Sequence, residues 1–156
     1  MIEITIPGRA SYNLKNLVLD LNGTIALDGE IVDGVEKRLE RLGKLLSISI
    51  VTADTYGSAA RLGQRLGITI DRISPGGEDA QKVAVVRKLG AAETVSMGNG
   101  ANDGPMLKES AIGICVLGGE GAAVAAMMSA DLVAPNINAA LELLLDTRRL
   151  VATLRK

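Results

Sequence analysis

The chain of 156 residues contains no histidine, phenylalanine or tryptophan, only two tyrosines (Tyr12 and Tyr56) and one cysteine. Histidine triads and histidine metal cages are therefore excluded, and any chemistry falls to carboxylates, amides, hydroxyls and lysines. A single thiol forbids an internal disulfide. Cys115 lies in the apolar run Ile112-Gly113-Ile114-Cys115-Val116-Leu117, where it reads as a buried thiol in a reducing, cytoplasmic setting. An excess of charge is missing too: 17 Lys and Arg stand against 18 Asp and Glu. The basic footprint of a nucleic-acid binder is thus absent. No apolar stretch approaches the roughly 18 residues of a membrane span, and the first residues lack the charged-then-apolar pattern of an export signal, so no membrane association is expected. The length suits one domain over residues 1–156.

What is present is an alternation of short β-rich runs with stretches of helical period, the pattern of βαβ units and a parallel sheet covered on both faces. Strands are expected near Glu3 to Ile6, Asn16 to Asp20, Ser47 to Thr52, Ile68 to Ile73, Thr94 to Met97, Gly113 to Leu117 and Asp131 to Val133. Helices are expected over Gly34 to Leu45, Thr55 to Leu66, Asp79 to Leu89, Asn102 to Glu109, Gly121 to Met128, and from Ile137 onward. The last of these places Leu141, Leu144, Leu145, Val151 and Leu154 on one stripe, a packing face. Between the first core strand and its helix, Asp28-Gly29 separates two short extended arms, the strongest local hairpin signal, so a small flap should project beside Asp20.

The run Leu17-Val18-Leu19-Asp20-Leu21-Asn22-Gly23-Thr24 ends an apolar strand on a carboxylate and breaks into an Asn-Gly turn. Open parallel sheets bind ligands at that edge. Asp20 there can be a metal ligand, a nucleophile or both, or it can simply bond the turn that follows. Three other segments deliver polar groups to the same edge. Thr52, with Ala53 and Asp54 at a helix start, can face an anion with its hydroxyl and the helix amides; Asp54 as an ordinary cap is the alternative. Lys82 lies in the first turns of its helix, able to reach the crevice, although such a lysine is more often a solvated surface charge. The loop Gly98-Asn99-Gly100-Ala101-Asn102-Asp103-Gly104-Pro105 is dense in glycine, amide and carboxylate, and the oxygens of Asn99, Asn102 and Asp103 suit a hard cation such as Mg2+. It is not a dinucleotide fingerprint, because Asp103 occupies the place of the third glycine.

Taken in this order, Leu-Asp-Leu-Asn-Gly-Thr at 19–24, Val-Thr-Ala-Asp at 51–54, Lys82, and Met-Gly-Asn-Gly-Ala-Asn-Asp-Gly-Pro-Met-Leu at 97–107, the chain resembles the haloacid dehalogenase (HAD) superfamily of phosphohydrolases, and within it the phosphorylation domain of P-type ATPases. The likeness runs over roughly residues 16–147. It implies a three-layer, Rossmann-like α/β fold with a mostly parallel sheet, helices on both faces and a small hairpin flap. By resemblance, Asp20 accepts the phosphoryl group, Thr52 bonds its oxygens, and Lys82 neutralises their charge and orients Asp20. Asn22, Gly23, Thr24, Thr52, Ala53 and Lys82 would surround the phosphate. Mg2+ would be held by Asp20, the Asn22 carbonyl and Asp103, directly or through water, with Asn99 close by.

Two positions depart from the family. HAD phosphatases have an acid/base Asp where this chain has Asn22, and an amide cannot transfer that proton; loss of general acid–base help costs about 10²- to 10⁴-fold. Asn99 stands where a further acidic ligand is common, so weaker metal affinity is expected. Neither the segment from Asp20 to Thr52 nor that from Lys82 to Asn102 has room for a cap domain. Capless relatives screen their sites by oligomer contacts, which implies a homo-oligomer; an open site would admit a small phosphorylated compound, an activated phosphate or a phosphoprotein. Two other readings stand beside the phosphatase: a catalytically weak or inactive phosphate-binding module, and, third, a phospho-accepting receiver domain. The receiver lacks its acidic pair, since only Glu3 lies upstream of Asp20.

Overall fold

A computed structural model describes residues 1–53 and 57–156. Among these residues a six-stranded parallel sheet is built from β3 (Asn16–Asp20), β6 (Ser47–Thr52), β7 (Thr69–Arg72), β8 (Thr94–Gly98), β9 (Ile112–Val116) and β10 (Leu132–Ala134), in the order β10-β9-β8-β3-β6-β7. The chain leaves β3 toward β6 on one side and returns to β8 on the other, so the order reverses at β3. That reversal opens a crevice at the carboxyl ends of the central strands.

The strands read as continuous apolar runs because both faces are covered; every residue of β3, β8 and β9 is buried. Alternation decides which face each side chain meets. Leu17, Leu19, Ile48, Ile50, Val95, Met97, Ile112 and Ile114 share one cluster with Val35, Leu39 and Leu42 of α1 (Val35–Leu42), Leu62 of α2 (Gly57–Leu66) and Leu141 and Leu144 of α6 (Ile137–Leu145). Val18 and Val51 point the other way, against Val86 of α3 (Glu78–Leu89) and Met106 of α4 (Gly104–Glu109). Cys115 is buried on that second side against Leu107 and Ala126 of α5 (Val124–Ser129), and burial, then the charge of Asp103, pushes its thiol up. Gly113 faces the same way, and a Cβ there would lie 2.2 Å from the Leu107 carbonyl oxygen. Asp20 continues the parity of Val18, and its side chain therefore projects onto the face where α3 and α4 pack.

The flap forms as expected: β4 (Ala26–Leu27) and β5 (Glu30–Ile31) pair antiparallel around Asp28 and Gly29, which both have positive φ, 51° and 82°. Among the described residues no cap domain interrupts the fold. The first strand, β1 (Ile2–Ile6), whose place the sequence left open, pairs antiparallel with β2 (Ala10–Leu14) around the Pro7-Gly8 turn, outside the parallel sheet, and lays Ile2, Ile4 and Ile6 into the core. Two expectations are corrected. The helix from Ile137 is two helices, because Asp146 adopts an extended backbone and accepts from the Arg148 amide, capping α7 (Thr147–Leu154). Leu150 is the fully buried residue of that last helix, and the expected Val151 and Leu154, half-buried, also pack against the core. Finally, α5 begins three residues later than expected, since Gly118 to Gly121 close a turn (Gly121 N to Gly118 O, 2.9 Å) and the Ala123 amide bonds the Asn99 carbonyl, 2.8 Å.

Candidate active site at the carboxyl ends of the strands

Asp20, Thr52 and Asn99 come from the ends of three adjacent strands, and Lys82 and Asp103 reach them from α3 and from the 3₁₀ turn Ala101–Asp103 before α4. Lys82 precedes Val86 by one helical turn on the buried stripe of α3, so its ammonium is carried inward. It is 2% exposed, which overturns the weighting of this lysine toward a solvated charge. Its Nζ donates to Asp20 Oδ1 at 2.8 Å and to Asp103 Oδ1 at 2.6 Å. Asp103 is itself wholly buried, and its Oδ2 accepts from the amides of Asn99 and Gly100 at 2.9 and 2.8 Å. Gly98 makes room for it: a Cβ at that position would stand 2.5 Å from Asp103 Cγ.

Thr24 is buried beneath Asp20. Its hydroxyl lies 3.2 Å from Asp20 Oδ2 and 3.1 Å from Asn99 Oδ1 and can donate to either. Burial first, then the neighbouring Asp103 charge, pushes the Asp20 carboxyl up to about 7 against the lowering by Lys82 and Thr24. Burial opposes the charge on Lys82, but the two carboxylates hold its pKa above the ordinary lysine value. The site thus holds two carboxylates around one ammonium, a net negative charge in a dry place. Such an arrangement calls for a further cation.

A cleft of about 440 Å³ opens over these groups, lined by Asp20, Asn22, Thr52, Ala53, Lys82, Asn99, Gly100, Asn102 and Asp103, with Glu78 and Glu120 at its edge. The expected site residues therefore converge, apart from two distinctions. Thr24 and Gly23 sit under and beside the cleft, and neither is among its described lining residues; Gly23 is covered by Asn99 and Glu120. Asn102 lines the cleft but donates its amide to Glu78 at 2.7 Å. Asp54 and the start of the helix expected at Thr55 lie outside the described residues. Glu78 and Glu120 were missed from the sequence. The Gly118-Gly119-Glu120-Gly121 segment reads locally as a tight turn, and only its folding back onto Asn99 and Gly23 reveals where Glu120 goes.

The donor set suits a hard divalent ion. Asp20 retains lone pairs, the turn's backbone bonds run to the Leu21 and Ala26 carbonyls, and Asn99 offers an amide oxygen. No cluster of three carboxylates suited to a metal exists among the described residues, so carbonyl and amide oxygens would share the work.

No family model matches the chain. A Moraxella catarrhalis 3-deoxy-D-manno-octulosonate 8-phosphate phosphatase, solved with magnesium, phosphate and its octulosonate, superposes with a TM-score of 0.72 at 17% identity over 92% of this chain and 94% of that one. A Streptomyces avermitilis protein assigned to the HAD family of hydrolases follows at 0.67 and 18% identity, covering 92% of this chain and 85% of the other. This is the HAD-like fold. Among curated sequences, an uncharacterized protein of Methanocaldococcus jannaschii, MJ0073, is 40% identical over 90 residues, 55% of this chain and 97% of that protein, so the two belong to one family. Copper-transporting ATPase 1 of Rhizobium meliloti is 30% identical over 122 residues, 72% of this chain but 14% of the transporter. The HAD-like chain described here thus corresponds to one portion of that pump. No helix among its described residues is long and apolar enough to cross a membrane.

Proposed function

We propose that this HAD-like chain is a phosphohydrolase that works through an aspartyl-phosphate on Asp20 with Mg2+ as its cofactor. The observation that carries the reading is Asp20 at a strand end, held by Lys82 at 2.8 Å and by the Thr24 hydroxyl, in one cleft with Thr52. In the first step a carboxylate oxygen of Asp20 attacks phosphorus and the bond to the leaving oxygen breaks. Water then attacks the same phosphorus, the acyl-phosphate bond breaks, and phosphate departs as Asp20 is regenerated. Lys82 and Thr52 stabilise charge on the phosphoryl oxygens, and the fixed ammonium of Lys82 orients Asp20 for attack.

Asp20, the Asn22 carbonyl and Asn99 would hold the ion, with Asp103 directly or through water; Asp103, which accepts from Lys82 and two backbone amides, also positions Lys82 and the loop. When bound, the ion supplies positive charge that offsets the repulsion between Asp20 and an incoming phosphate dianion. Asn22 cannot donate a proton to the leaving oxygen, so acyl, aryl and anhydride phosphates are favoured over alkyl phosphates. A small substrate or a phosphoprotein, a cytoplasmic setting and a homo-oligomer belong to this reading.

Asn22 also favours a second reading, a phosphate-binding module with little turnover. Hydrolysis of aryl, acyl and alkyl phosphates at neutral pH, with Mg2+ or with EDTA, separates the two. Metal-dependent turnover that disappears in Asp20→Ala supports the hydrolase; wild-type protein inert toward the whole panel sinks it.

A further inference from the structure

The Gly118-Gly119-Glu120-Gly121 turn carries a single side chain, and the packing of its backbone sends that side chain over the cleft. The turn is wedged between flap and floor: a Cβ at Gly119 would stand 2.8 Å from Leu27 Cδ2, and Asn99 Nδ2 donates to the Gly121 carbonyl at 3.2 Å. Gly23 clears the space beneath, since a Cβ there would lie 2.5 Å from Glu120 Oε2 and 2.5 Å from Asn99 Nδ2. Glu120 and Asn22 then line both the cleft over Asp20 and an adjoining groove of about 580 Å³. Four carboxylates border the cleft among its described residues, and three of them are engaged. Asp20 is held by Lys82 and Thr24, Asp103 by Lys82 and two backbone amides, and Glu78 by the Asn102 amide. Glu120 alone has no hydrogen bond or ion pair among the described residues.

We propose that Glu120 is the general base of the second step, taking the proton of the water that attacks phosphorylated Asp20. The assignment rests on the hydrolase reading above. Displacement at phosphorus runs in line, so the leaving group departs, and water arrives, on the side of phosphorus away from Asp20. That side is the open mouth of the cleft, because the strand end that carries Asp20 forms its floor. Asn22, Asn102, Glu78 and Glu120 stand there; the two amides cannot take a proton, and Glu78 is committed to Asn102. The water oxygen bonds to phosphorus as the bond to the Asp20 oxygen breaks and returns its electron pair to that carboxylate. The proton passes to a Glu120 oxygen and, since Glu120 is exposed, on to solvent. A base does nothing for the leaving oxygen of the first step, which needs a proton donor, so the preference for acyl, aryl and anhydride phosphates stands. Asn22 thus limits phosphorylation of Asp20, and Glu120 serves its release.

The test separates the two steps. Radiolabelled acetyl phosphate with Mg2+ loads the protein, an unlabelled chase ends loading, and acid quenching follows the phosphate left on the chain. Glu120→Gln should load at the wild-type rate and lose its phosphate about 10²-fold more slowly, with an unchanged thermal melt because position 120 is exposed. Glu30→Gln, an exposed carboxylate on the flap, should leave both steps as in wild type. Release at the wild-type rate from Glu120→Gln overturns the proposal. So does equal slowing of loading and release, which would mark a structural role, or a Glu30→Gln protein that releases as slowly, which would mark the charge of the rim rather than a proton acceptor. Wild-type protein that takes up label on Asp20 and never releases it overturns the base assignment and leaves Asp20 as the acceptor. Wild-type protein that neither takes up label nor frees phosphate sinks the hydrolase reading, and this assignment with it.

Discussion

The buried side chains of Asp20, Lys82 and Asp103 meet at 2.8 and 2.6 Å at the floor of the cleft, whereas Asp28, Glu30 and Glu120, on the flap and a neighbouring loop, are exposed. The first group has its oxygens and ammonium in fixed hydrogen bonds. The second has solvent to relax into and no ion pair among the described residues. Burial makes charge expensive and therefore geometrically strict, which fits the nucleophile proposed for Asp20. Exposure makes charge cheap and adjustable. The floor of the cleft is thus strict in its geometry and the rim is loose.

The sharpest way to break that contrast is Lys82→Met. Removing the ammonium leaves two buried carboxylates facing each other, with an expected loss of about 3–5 kcal/mol in urea melts of metal-free protein and near-complete loss of turnover. Glu30→Gln, at the rim, should stay within about 0.5 kcal/mol of wild type. If the two variants lose similar stability, the floor is no stricter than the rim.

Asn22→Asp tests the boundary between them. A carboxyl at the shared mouth of both clefts should raise kcat/KM on alkyl phosphates by about 10²-fold and change activated phosphates far less. A uniform change across leaving groups would show that proton delivery is not what Asn22 lacks.

Gly98→Ala probes how tightly the floor is packed. A methyl 2.5 Å from Asp103 Cγ must displace that carboxylate, at a cost of about 1–3 kcal/mol, and should lower turnover although position 98 touches no substrate. Wild-type thermal stability and kinetics in this variant would mean that the loop yields without loss.

A further effect is expected in pH dependence. The Asp20 carboxyl stands at about 7 in the folded chain against an ordinary value of 3.8, so between those limits the folded state binds more protons than the unfolded one. Stability of the metal-free protein is therefore highest below about pH 4, as far as this group is concerned, and falls as pH rises toward 7. Asp20→Asn should raise the metal-free melting temperature by several degrees at pH 8 and leave it unchanged at pH 4. A variant no more stable at pH 8 would place the carboxyl near its ordinary value.

Much of the floor was legible. The apolar run into Asp20, the β-branched strand into Thr52 and the Gly-Asn-Asp loop each announce a strand end, and the Asp28-Gly29 pair announces the flap, because these are local signals of alternation and turn chemistry. The burial of Lys82 was not legible. Its helix has four cationic or acidic neighbours for every buried apolar one, and which face turns inward depends on what packs there. Nor was Glu120, whose loop reads as a tight turn until Asn99 and Gly23 fold against it. The Pro7-Gly8 turn and the alternating isoleucines of β1 did carry a signal for the hairpin with β2, but nothing local says that this pair stands outside the parallel sheet.

The amino-acid sequence alone settles which atoms are available and where the backbone can turn: a chemistry of oxygens and lysines without histidine, and Asp20 at the end of a strand buried on both faces. Those outcomes follow from composition, period and turn propensity, which act over a few residues. The tertiary structure alone decides that Lys82 bridges Asp20 and Asp103, across 62 and 21 residues of chain, and that Glu120 joins the flap at the mouth of the cleft. Charges interact by distance in space and by how much water lies between them, and neither quantity is written in the order of the residues.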